Sequence, residues 1–464
     1  MIFHIHSTTL YYTQGRVVNV SLPADIHRGL TVLTGPNGSG KTTFARILER
    51  GRNFRTNKII SEGDKQPVVR YMEFNDVHSW TGASVGYYQQ RYESGMNDEA
   101  PTVREIMGDR VNDGFFTSMS TLLNLKGAED KKINHLSSGE LRKLLIINAL
   151  FESPDLLILD NPFIGLDSDS RKAFTEALAG LRNKGVSIML LVSDPSEAPS
   201  FTDNMLYADS FTISAVPPVT DYFTSPYVPF GFSAPHNGEP GDEILEMTDC
   251  KVHYGNVKVL DNINWKIKGG ERWSLTGRNG SGKSTLLSLI YADNPKSYAN
   301  NISLFGKRRG TGESIWDIKR QIGYVSPEMQ LYFHGSGTVE HIVANGLNDT
   351  VGLFVRPTEE QLELGRRWLR HFKIMHLADR RFNTLSSGER QLTLLARSII
   401  KEPRLLILDE PMHALDPHTR KTAECTIEEF TSSHPESALI MVTHNPAELP
   451  ASINSHFQLQ QHAT

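Results

Sequence analysis

Short, continuous hydrophobic runs recur along the chain and predict its main strands. LLILD occurs twice, at Leu156–Asp160 and Leu405–Asp409, and each copy is followed by a second run, IMLLV at Ile188–Val192 or ALIMV at Ala438–Val442. Runs of this length without polar alternation are typical of strands buried on both faces of a parallel sheet. A helix is predicted after each glycine-rich loop, as in the TTFARILER segment that starts at Thr42. Strand, loop and helix in this order predict α/β domains with mostly parallel sheets.

The pattern is a tandem repeat. Two glycine-rich loops lie 242 residues apart, whereas the LSSGE motifs and the aspartates of the LLILD strands each recur after 249 residues. Near-constant spacing over three motifs indicates a duplicated domain. The 464 residues are enough for two cores. We therefore predict one domain over residues 1–214, a linker rich in proline and glycine over 215–243, and a second domain over 244–464.

The glycine-rich loops have the sequence of phosphate-binding loops. They read GPNGSGKT at Gly35–Thr42 and GRNGSGKS at Gly277–Ser284. Glycines allow successive backbone N–H groups to surround phosphate oxygens, and the following helix presents its N-terminus to the anion. Two copies in register make a chance match negligible. The predicted nucleotide-binding residues of the loops are Gly35, Pro36, Asn37, Gly38, Ser39, Gly40, Lys41, Thr42, Thr43, Gly277, Arg278, Asn279, Gly280, Ser281, Gly282, Lys283, Ser284 and Thr285.

The side chains that follow these loops and strands predict ATP and Mg²⁺ as ligands. Lys41 and Lys283 are expected to reach the β- and γ-phosphates. The predicted Mg²⁺ residues are Thr42, Asp160, Ser284 and Asp409, because hydroxyl and carboxylate oxygens suit that ion.

The two repeats differ at the residue after the strand aspartate. Glu410 can accept a proton from an attacking water, whereas Asn161 cannot. Loss of a general base typically slows a reaction by about 10²–10⁴. We therefore predict that the site on the second loop hydrolyses ATP, with Glu410 and Lys283 among its catalytic residues, and that the site on the first loop only binds it.

LSSGE is the most discriminating motif of the chain. Its serines and glycine are expected to open a helix and to present hydroxyl and N–H donors to a γ-phosphate. The predicted residues are Ser137, Ser138, Gly139, Ser386, Ser387 and Gly388.

With these motifs, the chain resembles the ATP-binding cassette (ABC) ATPases over nearly its whole length. The resemblance implies two phosphate-loop domains, each with a helical lobe that carries LSSGE, paired head-to-tail so that each nucleotide meets the other domain's LSSGE. It implies that PFIGLD at Pro162–Asp167 and PMHALD at Pro411–Asp416 are D-loops. His444 resembles the family's switch histidine, and we match it to Asp194 in the first repeat. A carboxylate there would repel the γ-phosphate, so Asp194 is expected to turn away or to contact Mg²⁺ through water.

The resemblance implies further nucleotide contacts. Tyr12 and Tyr254 each lie 23 residues before a phosphate loop and resemble the aromatic that stacks on adenine. For the family's lid glutamine, the best match in the VGYYQQ segment is Gln90. In the second repeat IGYVSPEMQ has no glutamine at the matching place, and Glu328 or Gln330 remains as a substitute.

Bulk composition narrows the setting. The net charge of -5 gives no electrostatic reason to expect nucleic-acid binding. Two cysteines suit a reducing cytosol rather than a disulfide framework. No apolar run approaches the ~20 residues of a membrane span, and no secretory signal is evident. We expect a cytoplasmic protein, at most peripheral at the inner face of the membrane, whose membrane role comes through a partner.

Several functions remain open. The chain most resembles soluble tandem ABC proteins of the ModF-like, molybdate-transport-associated group, which implies an energiser for a separate permease. A ribosome-associated factor is the alternative, although such proteins usually carry a long charged hairpin between cassettes; a soluble regulator is another. A chromosome-maintenance ATPase would need a long coiled coil between the phosphate loop and LSSGE, and the short spacing there disfavours that class. Partner contacts are expected in Arg91–Val111 and Met329–Val343, where the candidate anchors are Tyr92, Tyr332 and Phe333, unless these pack within the helical lobe.

Overall fold

The structure, a computed structural model, describes most of the chain as two compact units. It describes residues 2–12, 17–21, 24–51, 58–61, 67–73, 101–125, 127–133, 136, 138–164, 166, 168–217, 226–232, 238–254, 257–277, 280–327, 329, 337–348 and 356–460. Of these, the first unit takes the residues up to 217 together with Ala414–His418, and the second takes the remainder from 226 onward.

The first unit is built from eleven described strands and five described α-helices. The strands are β1 (Phe3–Ile5), β2 (Thr8–Tyr11), β3 (Val17–Val20), β4 (Ala24–Ile26), β5 (Leu30–Thr34), β6 (Ile59–Ser61), β7 (Val69–Glu73), β8 (Leu156–Asp160), β9 (Ile188–Val192), β10 (Asn204–Asp209) and β11 (Thr212–Ser214). The helices are α1 (Lys41–Arg50), α2 (Val103–Met107), α3 (Gly114–Leu122), α4 (Ser138–Leu150) and α5 (Ser168–Asn183).

A mixed sheet organises this unit. Its strand order is β2-β3-β11-β10-β5-β9-β8-β7. The last five strands of this order, from β10 to β7, run parallel to one another. A separate three-stranded sheet has the order β4-β1-β6. The predicted parallel sheet is therefore present, with β5 and β8 separated by the single strand β9.

The apolar run of β8 divides its side chains between two cores, as the twofold period of a strand requires. Leu157 and Leu159 pack with residues of α3, α4 and α5. Leu156 and Ile158 pack on the other face with Phe44 of α1 and with the three-stranded sheet. Because both faces are covered, the strand shows a continuous hydrophobic run instead of an alternating one.

The second unit repeats the central part of this plan. Its strands are β12 (Glu243–Tyr254), β13 (Val257–Lys268), β14 (Arg272–Thr276), β15 (Asn301–Leu304), β16 (Lys307–Arg308), β17 (Ile322–Val325), β18 (Leu405–Asp409), β19 (Ala438–Val442) and β20 (Ser455–Gln458). Its helices are α6 (Lys283–Ile290), α7 (Ile315–Lys319), α8 (Val339–Ala344), α9 (Glu359–His371), α10 (Ser387–Ile399) and α11 (Pro417–Ser433).

The parallel strands of the two units have the same order. In the second unit it is β17-β18-β19-β14-β20, which matches β7-β8-β9-β5-β10 strand for strand. An antiparallel sheet of order β13-β12-β15-β16 accompanies it. This equivalence allows any residue of one sheet to be matched to its counterpart by strand register instead of by sequence spacing.

Part of the segment that we predict to be a linker packs against the second unit. Residues 226–232 form neither helix nor strand. The ring of Phe230 stacks on Trp368 of α9 with centroids 3.9 Å apart. The carboxylate of Glu429 in α11 accepts hydrogen bonds from the Tyr227 hydroxyl at 2.5 Å and the Phe230 N–H at 2.8 Å. These residues therefore join α9 to α11 within this unit.

The described helices include none long and apolar enough to cross a membrane. The apolar run Leu144–Ile147 lies in α4, a helix of 13 residues. Its side chains are buried in the core of the first unit.

Candidate active sites

Each phosphate loop joins the end of a central strand to the start of a helix. The first runs from the end of β5 at Thr34 to Lys41, and the second runs from the end of β14 to Lys283. Gly40 and Gly282 precede these helices with φ values of 99° and 94°. A Cβ at Gly40 would also lie 2.9 Å from the ring of Phe211. Both the backbone conformation and the neighbouring side chain therefore require glycine at this point.

The loop lysines lie across the loops. The Lys41 ammonium donates to the carbonyls of Gly35 at 2.7 Å and Pro36 at 2.9 Å. The Lys283 ammonium donates to the carbonyl of Gly277 at 2.5 Å. Each cation is thus held at the mouth of its loop, within reach of an anion that the loop surrounds.

Buried hydroxyls in both loops indicate that phosphate fits there. Ser39 and Ser281 occupy the same loop position and are each 3% exposed. Neither hydroxyl has a hydrogen-bond partner within the part of the chain that the structure describes. A buried polar group without a partner is costly, and a phosphate oxygen would supply the missing acceptor. Arg278 and Asn279 of the second loop lie outside the described residues.

The predicted Mg²⁺ residues of the first unit are in contact. The Thr42 hydroxyl donates to Asp160 Oδ2 at 2.7 Å, and the Tyr71 hydroxyl donates to the same oxygen at 2.7 Å. Burial raises the pKa of Asp160, while the hydrogen bonds from Tyr71 and Thr42 and the charge of Lys41 oppose that rise. A hydroxyl and a carboxylate side by side are the hard oxygen donors that Mg²⁺ takes.

The second unit provides the same donor types. Asp409 ends β18 and is 7% exposed. Ser284 is the second residue of α6. The described residues contain no cluster of three acidic, histidine or cysteine side chains that could hold a metal by themselves.

The residue after each strand aspartate has the same backbone conformation but different chemistry. Asn161 has φ 49° and Glu410 has φ 51°. Asn161 Nδ2 donates to Asp160 Oδ1 at 2.9 Å. Burial, with the charges of Asp409 and Glu448, raises the pKa of Glu410 to about 8. Glu410 therefore has a proton affinity near that of a general base at neutral pH, and Asn161 has none.

The second unit places His444, the predicted switch histidine, beside Glu410. His444 Nε2 lies 3.7 Å from Glu410 Oε1. Glu410 Oε1 is buried without a hydrogen bond from any described residue.

The match of His444 to Asp194 is wrong. Asp160 pairs with Leu191, whereas Asp409 pairs with Val442. Counting two residues onward from these paired positions places Ser193, not Asp194, opposite His444.

Hydrogen bonds explain what the two first-unit residues do instead. The Ser193 hydroxyl donates to Asn37 Oδ1 of the phosphate loop at 3.0 Å. The Asp194 carboxylate accepts from the Ser196 N–H at 2.9 Å and so caps the short 3₁₀ helix Pro195–Glu197. Aligning the similar segments DPSE, at 194–197, and NPAE, at 445–448, places Ser193 opposite His444 and would have identified the correct match from the sequence. The first site consequently has serine in place of the histidine, with no added negative charge at that position.

Both LSSGE motifs open helices, as expected. Ser386 is the N-cap of α10; its hydroxyl accepts from the N–H of Glu389, whose carboxylate accepts from the Ser386 N–H at 2.7 Å. Ser387 and Gly388 are buried in the first turn. In the first unit α4 begins at Ser138 and Gly139 follows, while Ser137 lies outside the described residues.

Each LSSGE helix has one residue that contacts the segment after the aspartate-ending strand of its own repeat, β8 or β18. Sequence analysis did not identify these two residues. Arg142 of α4 donates to the carbonyl of Pro162 at 2.8 Å and to that of Ile164. Gln391, its counterpart in α10, donates to the carbonyls of Glu410 at 3.2 Å and Pro411 at 2.9 Å. Burial lowers the pKa of Arg142 to about 9. Each helix is therefore tied to the D-loop of its own repeat.

The two candidate adenine-stacking tyrosines lie beside the far ends of the phosphate-loop helices. The guanidinium of Arg50, the last residue of α1, lies 4.4 Å from the ring centre of Tyr12. Asn294, just after α6, donates to the Tyr254 hydroxyl at 3.0 Å. Both rings are half-buried. Their stacking on adenine stays a prediction.

The strand next to β8 is β7, whose segment VRYME has the register of IGYV in the second unit. Tyr71 pairs with Ile158, just as Tyr324 pairs with Ile407. Gln90, the candidate for the lid residue, lies outside the described residues and stays a prediction. Other predicted residues outside the described ranges are Glu328, Gln330, Tyr92, Tyr332 and Phe333.

Comparison with known proteins finds the same family in both repeats of the chain. The family described as ABC transporter matches residues 19–164 and 260–413. The ABC transporter ATP-binding protein ModF of Escherichia coli is 32% identical over 451 residues, covering 91% of this chain and 90% of ModF. An uncharacterized ABC transporter ATP-binding protein of Schizosaccharomyces pombe is 30% identical over 444 residues, with the same shares covered.

A solved structure shares the fold. The RNase-L inhibitor aligns over 96% of this chain and 85% of its own, with a TM-score of 0.52 and 19% identity. At that identity the likeness extends to the fold and not to the function.

Proposed function

This chain belongs to the ABC transporter family of ATPases, and we propose that its two sites divide the work of binding and hydrolysis. The site on the second phosphate loop turns ATP over, while the site on the first loop binds ATP and holds it. The carrying observation is the contrast between a buried carboxyl beside a histidine, Glu410 and His444, and an amide that already donates to Asp160.

At the second site Glu410 acts as the general base. It draws a proton from a water whose oxygen attacks the γ-phosphorus, and the bond between that phosphorus and the bridging oxygen of ADP breaks. With a pKa of about 8 the Glu410 carboxylate is a stronger base than an ordinary carboxylate, and this charged form, which accepts the proton, gains population as the pH rises toward 8. His444, 3.7 Å away, is placed to orient the γ-phosphate and the water. Lys283 stabilises the charge that develops on the phosphate oxygens.

At the first site the same position cannot accept a proton. The Asn161 amide donates to Asp160, and Ser193 donates to Asn37 where the other repeat has its histidine. Lys41 and the loop N–H groups still provide the anion site. Binding without turnover is the expected result.

Mg²⁺ would be held by Thr42 and Asp160 in one unit and by Ser284 and Asp409 in the other. When bound, it neutralises charge on the β- and γ-phosphates. The contact between Thr42 and Asp160 supports this assignment in the first unit.

We propose that ATP-driven closure serves a separate permease at the cytoplasmic face of a membrane. Support comes from the ABC transporter names of the relatives. A molybdate link rests on the resemblance to ModF alone, since no described residue recognises an oxyanion cargo. The negative net charge argues against a nucleic-acid partner.

The division of labour is tested with matched amide variants. Glu410→Gln should reduce steady-state ATPase activity by about 10²–10⁴, whereas Asn161→Gln should leave it within about twofold, because only Glu410 is a base. Nucleotide retained after gel filtration should be ATP at both sites in Glu410→Gln. Comparable turnover in Glu410→Gln and wild type would overturn the assignment.

The partner is tested by capture from native cells with Glu410→Gln protein held in ATP. If mass spectrometry detects a polytopic membrane protein in the captured material at stoichiometric yield, the transport role is supported. Ribosomal proteins at stoichiometric yield would move the chain to the translation class. Absence of both, with an active wild-type ATPase, would contradict a stable complex with a permease.

A further inference from the structure

The first unit contains a buried tyrosine that touches the Mg²⁺ carboxylate without reaching the nucleotide loop itself. Tyr71 is 8% exposed and lies in β7, parallel to β8. It pairs with Ile158, so its side chain leaves the sheet on the same face as Asp160, two residues onward. The ring spans that distance, and the hydroxyl donates to Asp160 Oδ2 at 2.7 Å.

Three donors fix the orientation of that carboxylate. Oδ2 accepts from Tyr71 and from Thr42, each at 2.7 Å, and Oδ1 accepts from Asn161 Nδ2 at 2.9 Å. Thr42 is itself a predicted Mg²⁺ ligand, and Asn161 stands at the hydrolytic position. Tyr71 is therefore the donor whose only role at the site is to hold the acidic group.

The tyrosine is held in turn by α1, the helix of the phosphate loop. The Arg46 guanidinium lies 3.8 Å from the centre of the Tyr71 ring. Glu49 accepts from Arg46 Nη1 at 3.0 Å and from the Tyr71 N–H at 3.3 Å. Arg46 lies one turn after Thr42, so the hydroxyl and carboxylate sides of the Mg²⁺ site are braced by one network.

The second unit builds the same strand position differently. Tyr324 has the register of Tyr71 but stacks on Tyr291, with ring centres 4.6 Å apart. The loop spacing of 242 residues places Ser288 and Tyr291 where the first unit has Arg46 and Glu49. In the second repeat the cation of Lys319 lies over Tyr291, 4.6 Å from its ring centre, whereas in the first repeat Arg46 lies over the strand tyrosine Tyr71 itself.

From this geometry we infer that Tyr71 is a positioning residue of the first site, which orients Asp160 so that Mg²⁺ and ATP are retained there. The inference rests on the proposed binding of ATP to the first phosphate loop. Outer-shell hydrogen bonds of this kind typically change metal affinity by about 10–100-fold when removed.

The test measures metal dependence instead of turnover. In full-length protein carrying Lys283→Ala, which removes binding at the second loop, a fluorescent ATP analogue is titrated in EDTA and at increasing Mg²⁺. Tyr71→Phe should leave binding in EDTA within about twofold of the parent. It should raise the Mg²⁺ concentration that gives half-maximal tightening by roughly 10-fold. A role in packing alone would weaken both conditions equally and leave the Mg²⁺ midpoint unchanged, which would overturn the inference.

Matched variants separate the possible failures. Tyr324→Phe, at the same register in the other repeat, should leave the midpoint unchanged. Arg46→Met, which keeps the hydroxyl but removes the cation, should raise it by about two- to threefold, and it serves as the second variant if Tyr71→Phe does not fold. Lys41→Ala should abolish binding in this background. If Lys41→Ala still binds, the proposed first-site function fails; if it does not, and Tyr71→Phe matches the parent, only the role of Tyr71 fails.

Discussion

The raised pKa of Glu410 predicts a pH-dependent stability gain when that carboxyl is replaced by an amide. Burial, with the charges of Asp409 and Glu448, raises its pKa from 4.5 to about 8 in the folded second unit. The side chain is 17% exposed, so solvent screens the effect only weakly. The folded unit therefore binds this proton more tightly than the unfolded chain does. The stability that follows is fully present below pH 4.5 and is lost as the pH rises to about 8.

The magnitude follows from the interval between the working pH and that pKa. Between pH 6 and the pKa of about 8, only the folded unit holds this proton, so the free energy of unfolding falls by 1.36 kcal/mol per pH unit. Over these two pH units, which lie within the range from pH 6 to pH 9, the loss of stability is roughly 3 kcal/mol. Glutamine does not titrate, so Glu410→Gln escapes this loss. For a unit of about 150–250 residues, 1 kcal/mol shifts Tm by roughly 2–4 °C. The advantage of the variant should therefore grow by about 6–12 °C between these pH values.

The assay is thermal unfolding followed by scanning fluorimetry from pH 6 to pH 9, in EDTA and without nucleotide. Asn161→Gln serves as the matched control, since neither its native nor its new side chain titrates; its Tm should track the wild type at every pH. An advantage of Glu410→Gln that stays constant with pH would refute the reasoning. So would an advantage that is largest at pH 6, because the sign would then be reversed.

Two further predictions follow from the strand register and from the docked segment. In a Glu410→Gln background, adding Asn161→Glu and Ser193→His should raise the remaining ATPase activity by at least about 10-fold, because φ at Asn161 already matches that of Glu410 in the other repeat. The control replaces Ser193→His by Asp194→His and should remain inactive. Equal rescue by both combinations would contradict the register. Phe230→Ala should destabilise the second unit by about 3–5 kcal/mol in urea unfolding, because a ring that is only 7% exposed is lost. Val228→Ala is the control: its side chain is 70% exposed, and its loss should have no measurable effect. Similar costs for both variants would show that the stack of Phe230 on Trp368 contributes nothing.

Sequence alone determined the features that depend on short, contiguous segments. The apolar runs predicted β8, β9, β18 and β19 because a strand buried on both faces needs no polar alternation. The loops, the LSSGE helices and the difference between Asn161 and Glu410 follow from chemistry carried by neighbouring residues. All three are read within one segment and need no knowledge of which strands are adjacent.

Only the tertiary structure decided which distant residues meet. VRYME of β7 lies beside β8, and the position opposite His444 is Ser193 and not Asp194, because register is set by hydrogen bonding between strands far apart in the chain. The contact of Tyr71 with Asp160 depends on the same pairing. The burial of Glu410 and the approach of the Glu448 charge, which raise its pKa together with its sequence neighbour Asp409, also come from folding. Spacing along a chain has no access to these quantities, since each arises from groups brought together by folding.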